Sequence, residues 1–590
     1  MPCTVPARSI HPPCPLVVRQ SMVKPKILIL DGRSPAATEC VLALAGGCEV
    51  HLATPDGRRG KSDSDVTRVL PQPGSPDALR GWVADLFRRE RYQLVIPSTE
   101  ISLQALKSAN LSPALRASMA IPEEESIDIA LNKLHTAEVA ARLGIPVPAG
   151  SQVTSMEDLA EEPQYPVVIK PLHSKLWMRG ETWSFSAHIC PNRESVLAAC
   201  AALLPHTPAI EQEYFRGRGI GIEVLFERGE LRWWFAHERI HVLPVTGGAS
   251  TYRRSIEPPE ALLRATDTLL SHLRWHGVAM VEFKVAPDGD FRLMEINPRL
   301  WGSLPLAVAA GVDFPTGLLR LAQGEAPGPQ PQYRRGLYMR HLARDLVWYA
   351  QSWKERRNPL RIKPLQAADC WGFLRILIGT ERWDFFRWRN PRVWWASMRS
   401  SLASFHRSQR SNVARKATTE NWSKLQPQWR EGKIRRVLVL CYGNVCRSPV
   451  AARLLSSAGL EVKSAGFLPA AGRRPPEDWV QVVSRTLAID LHDHRAIAVD
   501  RDVVEWADLI LLMDAANWHA LTKAFPDAAS KAVLLGVAAG GNGSHILEIR
   551  DPYQLEDHTM QTIASTLESC TRALLDQGPA RADAPLPELD

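Results

Sequence analysis

Apolar positions along the chain fall into two rhythms. Short unbroken runs of Val, Ile and Leu, bounded by turn residues and too short for helices, predict buried parallel strands. The first are Ile27-Leu28-Ile29-Leu30, Val50-His51-Leu52-Ala53 and Leu94-Val95-Ile96, with helical patterns between them, as in an open α/β domain. Later runs are Val167-Val168-Ile169, Val437-Leu438-Val439-Leu440 and Leu509-Ile510-Leu511-Leu512. After Leu440 a tight loop leads into the helical stretch Pro449-Val450-Ala451-Ala452-Arg453-Leu454-Leu455. No G-x-G-x-x-G opens the first strand–helix unit, so dinucleotide binding is not indicated.

Two regions break these rhythms. Residues 336–400 crowd tryptophan with basic residues, as in Trp383-Asp384-Phe385-Phe386-Arg387-Trp388-Arg389 and Val393-Trp394-Trp395. One reading is an amphipathic helix on an anionic membrane, a peripheral contact. The favoured one is a Trp-rich basic helical cap on the preceding domain, because aromatic residues at helical spacing fill cores. Residues 401–433 are polar and basic, an expected linker. Residues 1–23 are Pro-rich and polar without an apolar signal segment, an expected disordered extension with Met22 as an alternative start, and 578–590 an expected tail.

At 590 residues the chain is too long for one core. There is no apolar run of roughly 18 residues, the length that spans a bilayer. The ten cysteines are scattered without metal or disulfide spacing, which fits a reducing cytoplasmic setting. The formal charge of +8 concentrates partly in the Trp-rich region, and no nucleic-acid motif accompanies it, so nucleic acid is not an expected partner.

The sharpest chemistry is Cys441-Tyr442-Gly443-Asn444-Val445-Cys446-Arg447-Ser448, with Asp551-Pro552-Tyr553 about a hundred residues on. A strand running into a tight loop and a helix lines up backbone N–H groups at the helix N-terminus, a nest for a phosphate dianion. Cys441 as a thiolate would attack phosphorus, its pKa lowered by the loop amides, Arg447 and the Ser448 hydroxyl. Arg447 would grip equatorial oxygens and Asp551 would serve as acid, then base. This set resembles the low-molecular-weight protein tyrosine phosphatase family over roughly residues 434 to 577. The resemblance extends to Ser464-Ala465-Gly466 and the strand Ala507 to Asp514. It implies a doubly wound parallel sheet, a phosphocysteine intermediate and no cofactor, with Asn444 and Ser464 bracing the loop. Cys446 is read either as a small packing residue or as the disulfide partner that protects Cys441 on oxidation. Asp514 is read as structural. Relatives resembling arginine phosphatases carry Thr where Val445 stands, so an apolar wall at Val445, with Tyr442 and Tyr553, favours phosphotyrosine. Arsenate reductases need a further cysteine relay, and no Cys lies between Cys446 and Cys570.

The front half has its own constellation. Lys133 leads a helix and Lys170 closes a strand, a pair suited to gripping a polyphosphate from both ends. Glu295 and Asn297 alternate on one strand and so face the same side, where Glu282 from the neighbouring strand joins them as hard oxygen ligands for Mg²⁺. Arg299 points the same way and can neutralise a phosphoryl group. These residues resemble the ATP-grasp superfamily of carboxylate–amine ligases over roughly residues 24 to 335. The resemblance assigns Lys133 and Lys170 as nucleotide lysines, the hinge with Gln212, Glu213 and Phe215 to the adenine, and Glu282, Glu295 and Asn297 to magnesium. It implies ATP, an acylphosphate intermediate, and small-molecule carboxylate and amine substrates.

The expected fold class is multidomain α/β. It comprises an N-terminal open α/β domain (24–120), an ATP-grasp α+β domain (121–335), and the C-terminal doubly wound phosphatase domain (434–577). The expected function is bifunctional, ligase in front and phosphatase behind, acting on a phosphotyrosine protein or a phosphorylated small molecule. The alternative is a tyrosine phosphatase regulated by a catalytically silent, nucleotide-sensing ATP-grasp module in exopolysaccharide or other biosynthetic control.

Overall fold

The computed structural model describes residues 24–60, 65–107, 111–178, 181–366, 369, 371–387, 391–456, 458–468, 471–540, 548–553, 555 and 557–578. The readings made for residues 1–23, for Trp388 and Arg389, and for 579–590 lie outside these.

The first apolar runs form a parallel four-stranded sheet in the order Arg68–Pro71, Glu49–Thr54, Lys26–Ile29, Leu94–Ile96. Its helices begin where the chain offers a cap. Ser34 and Ser75, each followed by proline, accept from backbone N–H groups at the helix start, and Thr99 does so for the helix Glu100–Leu106. The next unit is two sheets. A smaller antiparallel one holds Val167–Pro171 and Ala209–Glu213 as its central strands. A seven-stranded one runs Phe291–Asn297, Gly277–Val285, Arg218–Glu227, Glu230–Leu243, Ala249–Ile256, Tyr338–Arg340, Glu381–Trp383. The C-terminal sheet is parallel, in the order Glu461–Gly466, Arg436–Cys441, Leu509–Leu512, Ala532–Leu534, with every residue of Leu509–Leu512 buried. The architecture is multidomain α/β, as expected.

The Trp-rich region packs on the seven-stranded sheet but is not simply helical. Two of its segments, Tyr338–Arg340 and Glu381–Trp383, are the outer strands of that sheet, and the helix Leu342–Lys354 lies against it. Buried charge fastens it: Arg340 Nε donates to Glu381 at 2.7 Å and Arg253 Nη2 to Asp384 at 2.6 Å. Trp383 stacks on Trp394 with ring centroids 5.3 Å apart.

The expected linker is a correction. Residues 401–430 belong to one 40-residue helix, Pro391–Arg430, about 60 Å long at 1.5 Å per residue. Its front end buries Val393 and Trp394, and its rear buries Ala414, Thr418, Trp422 and Trp429, spaced so that all four share a face. That face joins the phosphatase core. Asn421 Nδ2 donates to the carbonyls of Ala529 and Ala532, and Trp429 Nε1 to the carbonyl of Leu574 at 2.9 Å. Trp429→Ala is therefore expected to destabilise the C-terminal domain by about 3–5 kcal/mol, measured by urea unfolding. A fragment starting at residue 434 is expected to unfold at lower urea than one starting at residue 411. Equal midpoints would mean the helix is not part of that core.

Candidate active sites

The strand Arg436–Cys441 ends at the sheet's carboxyl edge, and the helix Arg447–Ser456 begins six residues later. Between them the chain folds around one sulfur. The Asn444 backbone N–H donates to Cys441 Sγ at 3.2 Å, and Ser448 Oγ lies 3.0 Å from it. Asn444 adopts φ 51°, the left-handed region that Asn tolerates better than most residues. Its amide Nδ2 donates to Ser448 Oγ and Ser464 Oγ, both at 3.0 Å, while its Oδ1 accepts from the Ile497 N–H. Gly466 is required beside it, because a Cβ there would stand 2.8 Å from the Asn444 nitrogen.

Arg447 is 2 % exposed and reaches back across the loop. Nη1 donates to Asp514 Oδ2 at 2.6 Å and to the Ile549 carbonyl at 2.8 Å; Nη2 donates to Asp551 Oδ2 at 2.9 Å. Asp514 also caps the helix Ala515–Ala524, a positioning part that matches its structural reading. Asp551 is half exposed at the mouth. Burial pushes the Cys446 thiol far up, so it stands protonated in the core. Val445 is 7 % exposed and packs in the same core. The exposed rings are Tyr442 and Tyr553. Three contacts went unread in the sequence: Arg473 donates to the Gly443 carbonyl, His494 Nε2 lies 2.8 Å from the Asn444 carbonyl, and Trp479 Nε1 donates to the Cys446 carbonyl. They come from segments up to 50 residues away with no motif of their own.

The second site lies between the two central sheets. Asn132 caps the helix Lys133–Arg142 by accepting from two backbone N–H groups, which places Lys133 in the first turn. Lys133 Nζ donates to Ser174 Oγ at 2.7 Å. Lys133, Lys175, Glu295, Asn297 and Arg299 line a cavity of about 250 Å³. Lys170 is buried on the adjoining strand; burial, then the like charge of Lys133, pushes its pKa down to about 8. Gln212 shares the sheet face of Lys170 by register, and its buried Oε1 has no hydrogen-bond partner among the described residues. Glu213 alternates to the other face, where its exposed side chain lies 3.8 Å from Arg292. Arg292 also lies over the Phe215 ring at 4.8 Å.

Glu282 and Glu295 are direct register partners on neighbouring strands. Asn297 Nδ2 donates to both carboxylates, at 3.2 and 3.3 Å. Arg239 holds Glu282 in an ion pair, and burial nonetheless pushes the Glu282 carboxyl up. Arg299 Nη2 donates to Glu100 Oε1 at 2.9 Å. Burial works against that Glu100 carboxylate, but Arg299 outweighs it and holds its pKa below the usual range. Glu100, 199 residues from its partner and on another domain, could not be paired from sequence.

Two families match the chain. The family described as low molecular weight phosphotyrosine protein phosphatase matches residues 436–582, and the family described as ATP-grasp in the biosynthetic pathway with Ter operon matches residues 206–344. A probable low molecular weight protein-tyrosine-phosphatase EpsP of Ralstonia nicotianae is 35% identical over 20% of this chain and 80% of its own length. A protein-arginine-phosphatase of Geobacillus stearothermophilus is 32% identical over 20% of this chain and 78% of its own. The crystal structure of L-amino acid ligase from Bacillus licheniformis superposes with a TM-score of 0.42 at 15% identity, over 54% of this chain and 79% of that one. Through residues 436–582 the chain belongs to the low molecular weight phosphotyrosine protein phosphatase family, joined here to an ATP-grasp module.

Proposed function

We propose that the protein is a bifunctional cytoplasmic enzyme: an ATP-dependent carboxylate–amine ligase in front and a phosphotyrosine phosphatase behind. The observation that carries the phosphatase half is the Cys441 sulfur held by the Asn444 N–H and the Ser448 hydroxyl, with Arg447 of the same loop bound to Asp551. Cys441 Sγ attacks phosphorus as the thiolate, with the Asn444 N–H and the Ser448 hydroxyl holding its charge. Arg447 turns its fork from Asp514 and Asp551 toward the equatorial oxygens. Asp551 gives its proton to the leaving phenolate oxygen; it then takes one from the water that attacks phosphorus and releases Cys441. Tyr442 and Tyr553 flank a phenyl ring better than a guanidinium, which supports phosphotyrosine over phosphoarginine.

In the front half Lys133 and Lys170 take the phosphates of ATP, and the hinge from Gln212 to Phe215 takes the adenine. Buried Gln212 Oε1 and Arg299 Nε have no partner among the described residues, and such groups are costly unless a ligand completes them. Among the described residues no three His, Cys, Asp or Glu side chains are grouped to hold a metal. Glu282 and Glu295 with the Asn297 oxygen still fit Mg²⁺, which takes one or two carboxylates and fills its octahedron with phosphate and water. When bound, the ion supplies neutralising charge to the phosphoryl group. The reaction class is acylphosphate formation on a carboxylate, followed by displacement of phosphate by an amine.

One observation favours the second reading, a silent nucleotide sensor. Arg239 already neutralises Glu282 where a magnesium ligand is needed. ADP release decides: a ligase releases ADP only with carboxylate and amine both present, whereas a sensor binds ATP without turnover.

Three outcomes are expected. Cys441→Ser abolishes hydrolysis of an aryl phosphate and leaves ATP binding intact; persistent hydrolysis would sink the nucleophile assignment. Asp551→Asn slows substrates with poor leaving groups far more than good ones, and an equal loss for both would remove its role as acid. Phosphate binds the charged form of Lys170, so ATP affinity measured by calorimetry falls as pH rises through about 8, and Lys170→Met flattens that dependence. An unchanged pH profile in Lys170→Met would place the titrating group elsewhere.

A further inference from the structure

The seven-stranded sheet presents Glu282, Glu295 and Arg239 on one face. Phe283, the next residue, points to the other, and the register carries that reverse face across the sheet. Phe283 pairs with Ile220, Ile220 with Glu238, Glu238 with Arg254, and Arg254 with Tyr338. On this side lies a cavity of about 860 Å³, roofed by the segment that carries Lys363 and Arg375. Arg239, which holds Glu282 on the opposite face, also borders it.

Its lining holds a surplus of positive charge. Arg216, Arg218, Arg254 and Arg375 all border it. One carboxylate, Glu238, serves both Arg254 at 2.7 Å and Arg218 at 3.5 Å. The other acid in the lining, Asp369, is already taken by Lys363 and by His241. Arg375 and Arg216 have no carboxylate partner within 4.0 Å among the described residues. Arg375 is held in place instead: Nη1 donates to the Tyr252 hydroxyl at 2.9 Å, and the guanidinium lies 4.3 Å above the Tyr338 ring. That fixes its plane and leaves the rest of its fork free, the preorganisation that suits an oxyanion.

We propose that this reverse-face cavity binds a phosphate-bearing small molecule. Arg216, Arg254 and Arg375 take the phosphate. Five guanidiniums around one cavity repel one another, and a dianion relieves that repulsion. The proposal is independent of either catalytic reading.

The test is equilibrium dialysis of the full chain with radiolabelled phenylphosphonate, which is not hydrolysed, under saturating magnesium and a non-hydrolysable ATP analogue. The expected result is a component of binding that survives Arg447→Gln and weakens about tenfold in Arg375→Gln or Arg216→Gln, the loss of one charge-assisted bond. Both variants keep wild-type rates on p-nitrophenyl phosphate. Arg216 is exposed, so its replacement leaves the fold intact even where Arg375→Gln does not. Binding that vanishes entirely in Arg447→Gln, or that is unchanged in Arg216→Gln and a folded Arg375→Gln, overturns the proposal.

Discussion

The burial of one face of the helix Pro391–Arg430 is the contact on which the rest of the architecture depends. Its two ends lie in different cores: Val393 and Trp394 near the front sheet, Trp422 and Trp429 in the phosphatase core. A helix this long gains little from intrinsic propensity and is fixed by what its faces bury. Here the rear stripe buries two tryptophans, each a large apolar area, with the Trp429 indole N–H and the Asn421 amide satisfied by carbonyls. The phosphatase sheet is therefore completed by residues that precede it in sequence.

The two active sites meet phosphate by opposite means. The phosphatase loop relies on backbone: amides at a helix N-terminus, fixed by the left-handed Asn444 and its hydrogen bonds to Ser448, Ser464 and Ile497. Arg447, which reaches across it, is held by two carboxylates. The front site relies on side chains, and its cations stand less well balanced. Lys170 is buried beside the like charge of Lys133, which is why its proton is held weakly. Each arrangement costs folding free energy that a bound phosphate offsets.

What the sequence disclosed follows the same division. Where chemistry demands contiguous residues, as from Cys441 to Ser448 or from Glu295 to Arg299, the constellation was legible before any fold. Alternation put Glu295 and Asn297 on one face with Glu282 expected from the neighbouring strand, and the register pairs Glu282 directly with Glu295. The long helix was illegible because its buried stripe begins with Ala414 and Thr418, residues no hydrophobic pattern flags, inside a polar basic surround. The outer strands Tyr338–Arg340 and Glu381–Trp383 are three residues each, shorter than any periodicity can declare. Glu100 and Asp514 act through arginines far along the chain, and only the fold brings them there. The side-chain surroundings of Glu213 and Val445 could not be read from sequence: strand alternation turns Glu213 toward Arg292, and core packing takes Val445.

The helix also bears on how the two halves relate. Ser411 on its length donates to Glu548, whose other oxygen accepts from the Ala515 N–H at 3.1 Å, next to the Asp514 that holds Arg447. The helix is thus joined to the start of the helix Ala515–Ala524 through Glu548. Contiguity is not coupling, however; a switch needs an element with two arrangements of similar energy. Turning this helix would expose Trp422 and Trp429 and strip carbonyl partners from Asn421 and Trp429, a loss of several kcal/mol by ordinary burial energies. A member so fixed at its rear behaves as a strut. That weighs toward two catalytic modules held at a set spacing, and against a front half whose main role is to gate the rear.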